Sequence, residues 1–254
     1  TMPVKIGIVD FDSSHCVEFT RRINHLEIAE DQWVDGGRVV MGCPGTSILS
    51  PERLPGFTEE MKRMGIPLVD RPTDMIGKVD AVMISSVDGS VHWERARPFI
   101  EADVICFVDK PFTCSHAEAK AIVALARQRR VPIFSSSALR YAPEVVEFVA
   151  GTKVMDSPTG AILGATVYGP APTRARNPGL FHYGMHSIEM LFTLMGPRCE
   201  WLTCVREGGV AGSEEVGTEV VTAYWSGGRI GTFHGIRSGQ RAYGFVAFCE
   251  KAVR

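Results

Sequence analysis

Three short stretches of this sequence hold residue types that do chemistry. The first, Asp10-Phe11-Asp12-Ser13-Ser14-His15, follows a β-branched run and sets two carboxylates, two hydroxyls and an imidazole within six positions. Asp10, Asp12 and Ser13 there either shape a turn and cap the following helix, or bind a metal or a polyol. The second, Asp109-Lys110-Pro111, closes an apolar run. A partly desolvated ammonium at a strand end hydrogen-bonds a hydroxyl or stabilises a developing alkoxide, and Asp109 would keep it charged or orient it. Taken alone, such a tripeptide is more often a surface turn. The third, Phe181-His182-Tyr183-Gly184-Met185-His186, places two imidazoles four residues apart. On a helix they share a face and converge on one ligand, as substrate or acid–base groups, as a metal pair needing a third ligand, or as packing residues. A charged second imidazole depresses the first, which leaves a neutral base at pH 7.

These groups need a scaffold. The first 135 residues alternate β-branched runs at 4–9, 39–42, 81–85, 104–108 and 132–134 with helix-like segments at 51–64, 94–102 and 115–129. The last is the clearest helix, with Ser115 as N-cap, Glu118 three residues on as in a capping box, and an apolar stripe of Ala119, Ile122, Val123 and Leu125. Apolar strands separated by helices predict a Rossmann-like, doubly wound parallel sheet, whose ligands bind beyond the carboxyl ends of the strands. After Tyr141-Ala142-Pro143 the texture changes to alternating, glycine-broken strands at 164–169, 200–206, 217–225, 229–235 and 242–248, with Ser226-Gly227-Gly228 as a hairpin turn. One helix, 181–195, interrupts them and stops at Gly196-Pro197. The expected organisation is an α/β domain over 1–140, then an α+β domain with a mainly antiparallel open sheet over 141–254.

Val79-Asp80-Ala81-Val82-Met83-Ile84-Ser85-Ser86, His92 and the run from Ala102 through Val108-Asp109-Lys110-Pro111-Phe112 resemble the glucose–fructose oxidoreductase/inositol dehydrogenase/MocA-type (Gfo/Idh/MocA) family. The resemblance implies that Lys110 contacts the substrate hydroxyl beside a nicotinamide. It places His186 on the family's acid/base histidine, with His182 where an aspartate is expected. It further implies NAD or NADP as cofactor, held by Phe11, Asp12, Ser13, Ser14, His15, Ser85, Ser86, His92, Asp109 and Lys110, and a substrate met by Arg140, Arg174 and Arg176. Arg140 either holds a carboxylate or braces the linker, and His92 either starts a helix or lines the cofactor cleft. A homo-oligomer formed through the open sheet is also expected by analogy.

The resemblance is weakest where the cofactor should sit. A dinucleotide fingerprint reads Gly-x-Gly-x-x-Gly, so that backbone amides approach the pyrophosphate unobstructed. Asp10, Asp12 and His15 stand at those positions, and the second strand ends in Cys43-Pro44-Gly45 without a ribose-binding acid. Two carboxylates repel a phosphate. The main expectation is an NAD(P)-dependent oxidoreductase of a sugar, polyol or related hydroxy compound, transferring hydride with Lys110 and His186 at the reacting hydroxyl. The alternative is a non-redox member, a binding module, lyase or hydrolase, that has lost the nucleotide.

Composition narrows the field. The 254 residues are 45% hydrophobic and 22% charged, and 27 basic against 29 acidic side chains give a net charge of −2. That balance provides no basic footprint for nucleic acid or an anionic membrane, so the expected partner is a small molecule. Arg127-Gln128-Arg129-Arg130 reads as a helix C-terminus complementing its dipole. Seven dispersed cysteines without Cys-x-x-Cys spacing read as reduced thiols, and the absence of a leader-like start suggests a cytoplasmic protein. The run closes at Cys249-Glu250-Lys251-Ala252-Val253-Arg254 inside a strand-like segment, short for the family, so the expectation is either a sequence that stops early or a trimmed sheet.

Overall fold

The β-branched run at the start extends as β1 (Val4–Val9) in the computed structural model, which describes residues 2–206 and 218–254. Two compact units divide the chain, Thr1–Ser135 and Ser136–Arg254. In the first unit β1 is joined by β2 (Gly37–Cys43), β3 (Ala81–Ile84), β4 (Ile105–Val108) and the short β5 (Ile133–Phe134), all parallel, in the order β2-β1-β3-β4-β5. Between them run α1 (His15–Asn24), α2 (Leu54–Arg63), α3 (His92–Glu101) and α4 (His116–Arg129). Ile8 belongs to a buried cluster with Cys16, Val17 and Met61, whereas its neighbour Val9 belongs to one with Phe99, Ile100 and Ile122. Successive strand residues thus face opposite helical layers, which is why these strands read as unbroken apolar runs. Each fully buried side chain such as Phe99 contributes roughly 1.5–3 kcal/mol.

The α4 start shows how sequence cues become structure. Ser115 Oγ accepts from the Glu118 amide at 3.4 Å, so the expected cap forms. The reciprocal half of the box is replaced, because the Ser115 amide donates to Thr113 Oγ1 at 3.1 Å. The helix closes at Arg130 in a left-handed conformation, φ 58°. The segment expected as one helix over 51–64 is a 3-10 turn, Pro51–Arg53, leading into α2.

The second unit opens with α5 (Pro143–Gly151) and contains β6 (Ile162–Pro170), α6 (Gly184–Met195), β7 (Cys199–Arg206), β8 (Thr218–Trp225), β9 (Arg229–Ile236) and β10 (Gly244–Cys249). Its sheet runs β10-β6-β9-β8-β7, antiparallel except for the parallel pair β6–β9. Residue 217 of the expected strand lies outside the described residues. The Gly227 and Gly228 turn between β8 and β9 has φ of 79° and 75°, conformations that glycine adopts without a Cβ penalty. Met190, Leu191, Leu194 and Met195 of α6 share a buried cluster with Val167, Trp225 and Phe233, so the helix covers one face of the sheet. Trp225 Nε1 donates to Gly196 O at 2.8 Å and ties the end of α6 to β8. The fold is therefore α/β, a doubly wound parallel sheet followed by a mainly antiparallel one with embedded helices.

Candidate active site

The carboxyl ends of β1, β3 and β4 gather most of the sequence-predicted residues of the first unit. Asp10 leaves β1 with φ 63° and is fully buried. Its Oδ2 accepts from Arg95 Nε at 3.0 Å and from Ser86 Oγ in a very short bond. Its Oδ1 has no partner and faces Gly45, where a Cβ would lie 1.7 Å away. Burial pushes the Asp10 carboxyl above the usual carboxylate range, against the opposing pull of the Arg95 guanidinium and the Ser86 hydroxyl, while the nearby Asp12 charge adds to the rise. Asp12 is 1% exposed, and accepts from Ser47 Oγ at 2.6 Å and from the Val87 amide at 3.1 Å.

Other groups of the turn are also bonded within the protein. Phe11 is buried in the β1–α1–α2 cluster, where a Cβ on Gly42 would come within 2.5 Å of its ring. The Asp10 and Phe11 amides donate to Cys43 O and Pro44 O, each at 3.0 Å, and the His15 amide to Ser13 Oγ at 3.3 Å. Ser14 is the N-cap of α1 but makes no side-chain cap bond. Phe11 and the His15 amide, expected to cradle a phosphate, are thus spent on the fold itself.

Two further pieces complete this edge. His15 Nδ1 lies 2.5 Å from Asp109 Oδ2, and the two side chains are 31% and 3% exposed. Asp109 Oδ1 accepts from the Lys110 amide at 2.7 Å. His92 is fully buried at the start of α3, with Nδ1 2.9 Å from Pro111 O and Nε2 3.0 Å from Ser86 O. It clamps the turn that carries Lys110 to the end of β3, which makes it a positioning residue. Gly89 permits the approach, since its Cβ would stand 2.6 Å from Pro111 Cγ. Ser85 is buried and its hydroxyl has no partner.

In the second unit the structure overturns the shared helical face of His182 and His186. α6 begins at Gly184, and His182 closes a 3-10 turn, Gly179–Phe181, with ψ −85°. The physical reason is local: a Cβ on Gly184 would meet Leu180 at 2.9 Å, so the chain folds Leu180 over the helix start. Tyr183 instead lies edge-on between the imidazoles, with ring centroids 4.6 Å from His182 and 5.5 Å from His186. His186 Nδ1 is 2.6 Å from Ser137 Oγ, a hydroxyl that also accepts from the Leu139 amide. Arg140 Nε donates to Glu189 Oε2 at 2.5 Å, so its carboxylate partner is the chain's own and the bracing role is favoured. Arg174 and Arg176 lie in a turn closed by the Asn177 amide on Arg174 O at 3.2 Å. Burial pushes the Tyr243 hydroxyl, whose ring lies 6.0 Å from that of His186, up to about 12. Among the described residues no three His, Cys, Asp or Glu side chains gather as a cation would require.

Sequence reasoning missed Arg95, Ser47 and Ser137. Arg95 lies in the helix-like segment 94–102, and nothing in the sequence links it to Asp10 across 85 residues.

Comparison with known proteins agrees with the fold. Residues 48–136 match the Gfo/Idh/MocA family model, described as an oxidoreductase family with an NAD-binding Rossmann fold; the turn at 10–15 lies outside that stretch. Over 94 residues the chain is 30% identical to UDP-N-acetylglucosamine 3-dehydrogenase of Acidithiobacillus ferrooxidans, a match covering 37% of this chain and 29% of that relative. Two solved structures share the fold of the whole chain. GenD2 from gentamicin A biosynthesis, in complex with NAD, has a TM-score of 0.79 at 16% identity, covering 100% of this chain and 72% of that one. A myo-inositol 2-dehydrogenase from Lactobacillus plantarum has 0.77 at 18%, covering 100% and 76%.

The family description names NAD, and the turn after β1 is where such a fold lays a pyrophosphate. The residues present do not fit it. A carboxylate about 4 Å from a phosphate costs roughly 4 kcal/mol at an effective dielectric of 20, whereas a helix N-terminus returns only about 0.3–1 kcal/mol. Asp10 and Asp12 set two buried carboxyl groups at this turn, and the Asp10, Phe11 and His15 amides are already bonded within the protein.

Proposed function

We propose that this chain acts on a sugar, polyol or related hydroxy compound as a non-redox member of the Gfo/Idh/MocA family, without a nicotinamide cofactor. The observation that carries the reading is the turn after β1, where Asp10 and Asp12 are buried and bonded within the protein. The substrate class rests on the match of residues 48–136, on the dehydrogenases of sugar-like compounds named above, and on the retained Asp109-Lys110-Pro111 segment. In this reading Lys110 donates a hydrogen bond to a substrate oxygen and stabilises negative charge there. His186, steadied by Ser137 Oγ, exchanges a proton with the substrate, and His182, Arg174 and Arg176 contribute polar contacts.

A second reading, an NAD(P)-dependent oxidoreductase, is favoured by the NAD-binding description of the family that residues 48–136 match. It uses the same Lys110 and His186 at the reacting hydroxyl. Calorimetric titration with NAD, NADH, NADP and NADPH separates the two. No binding up to millimolar concentration supports the non-redox reading, and micromolar binding of any of them replaces it with the second.

A further inference from the structure

We propose that His15 and Asp109 form an acid–base dyad that moves a proton on a carbon next to a carbonyl, in an α-hydroxy aldehyde or ketone of the sugar type. The inference rests on the non-redox reading, because a dinucleotide laid over the turn would cover His15. It stands on geometry within the first unit. Asp109 is 2% exposed and uses one oxygen on the His15 Nδ1, 2.5 Å away, and the other on the Lys110 amide at 2.7 Å. A buried carboxylate on Nδ1 fixes the tautomer that leaves Nε2 as the proton acceptor, and steadies the imidazolium once it is charged. The His15 side chain is 31% exposed, so it is held at one edge and open at the other. Phe19, with its ring centroid 5.0 Å from the imidazole, lies alongside and restricts its swing. His15 is also the residue that replaces the last glycine of the fingerprint. The position given up by the phosphate cradle now carries a catalytic residue.

The step balances without any cofactor. His15 Nε2 takes the proton from the carbon bearing the hydroxyl, and the C–H electron pair moves to form a carbon–carbon double bond while the carbonyl π pair becomes an enediolate oxygen. The Lys110 ammonium, on the residue following Asp109, hydrogen-bonds that oxygen. The Lys110 ammonium gives a proton to that oxygen and takes one from the neighbouring hydroxyl, while His15 returns its proton to the adjacent carbon, so that carbonyl and hydroxyl exchange places. One carbon is oxidised and its neighbour reduced, so the net oxidation state is unchanged.

The test is proton NMR of dihydroxyacetone, D-ribose, D-glucose and D-fructose, each incubated with the full chain in D2O at pH 7. Loss of the signal from the hydrogen next to the carbonyl is followed. The wild-type chain is expected to exchange at least one of the four. His15→Gln is expected to lower that rate by about 100-fold or more, the low end of general acid–base contributions. Asp109→Asn is expected to lower kcat with little change in KM and to alter the pH profile, which a merely structural loss would not do. Circular dichroism and thermal melts confirm that both variants fold. No exchange of any of the four sugars, or exchange unchanged in folded His15→Gln, overturns the dyad. Nucleotide titration distinguishes the failures: micromolar nucleotide binding removes the non-redox reading itself, whereas no nucleotide binding and no exchange removes the dyad alone.

Discussion

At Asp10, burial and charge compete. The carboxyl is raised chiefly by burial, and Arg95 and Ser86 only partly offset that cost. A folded-state value above the unfolded one means that this group's contribution is fully present below the unfolded value and is lost as pH rises through the folded one. Asp10→Asn should therefore lower Tm by more at pH 4 than at pH 7, as read from thermal melts across that range. A penalty that grows with pH would instead mean that the Arg95 ion pair dominates. Arg140 gives a second test at this scale. Glu189 is nearly buried, so Arg140→Ala strands its carboxylate and should cost about 1–3 kcal/mol in denaturant unfolding. Glu189→Gln in the same background should recover part of that loss. A substrate-holding Arg140 would leave stability unchanged and affect only binding.

At the scale of elements, the turn carrying Lys110 depends on a close approach. Gly89→Val brings side-chain atoms onto Pro111 and Cys114, displaces the turn, and should cost about 1–3 kcal/mol of stability together with most of the ligand response. Melting and NMR exchange on the same sample check both. These elements were legible in the sequence because β-branched runs and helix caps are local signals: β1, β3, β4, α4 and the glycine stop of α6 all lie where their patterns place them. The start of α6 was not legible. A helical period carries no sign that Leu180 packs over Gly184, and so His182 was assigned to a helix it precedes. Pairings across the sheet were hidden for the same reason. His15 and Asp109 are each conspicuous, but their hydrogen bond spans 94 residues and exists only because β1 and β4 end on the same edge.

At the scale of the whole molecule, one face of the second sheet bears on assembly. One face of the second sheet exposes Trp201, Val205 and Ile230, with Trp201 stacked on Tyr224 at 3.6 Å between centroids. We expect this apolar area to meet a second copy of the chain. Sedimentation should show a dimer or larger assembly that Trp201→Glu shifts toward monomer; a wild-type monomer at micromolar concentration would contradict this. Among the described residues no helix is long and apolar enough to cross a membrane.

The measurement closest to the central claim is calorimetric titration of the full chain with NAD, NADH, NADP and NADPH, with Lys110→Ala alongside. The buried, internally bonded Asp10 and Asp12 predict no heat of binding up to millimolar concentration for any of the four. Saturable micromolar binding of even one would contradict the account and favour the NAD(P)-dependent reading.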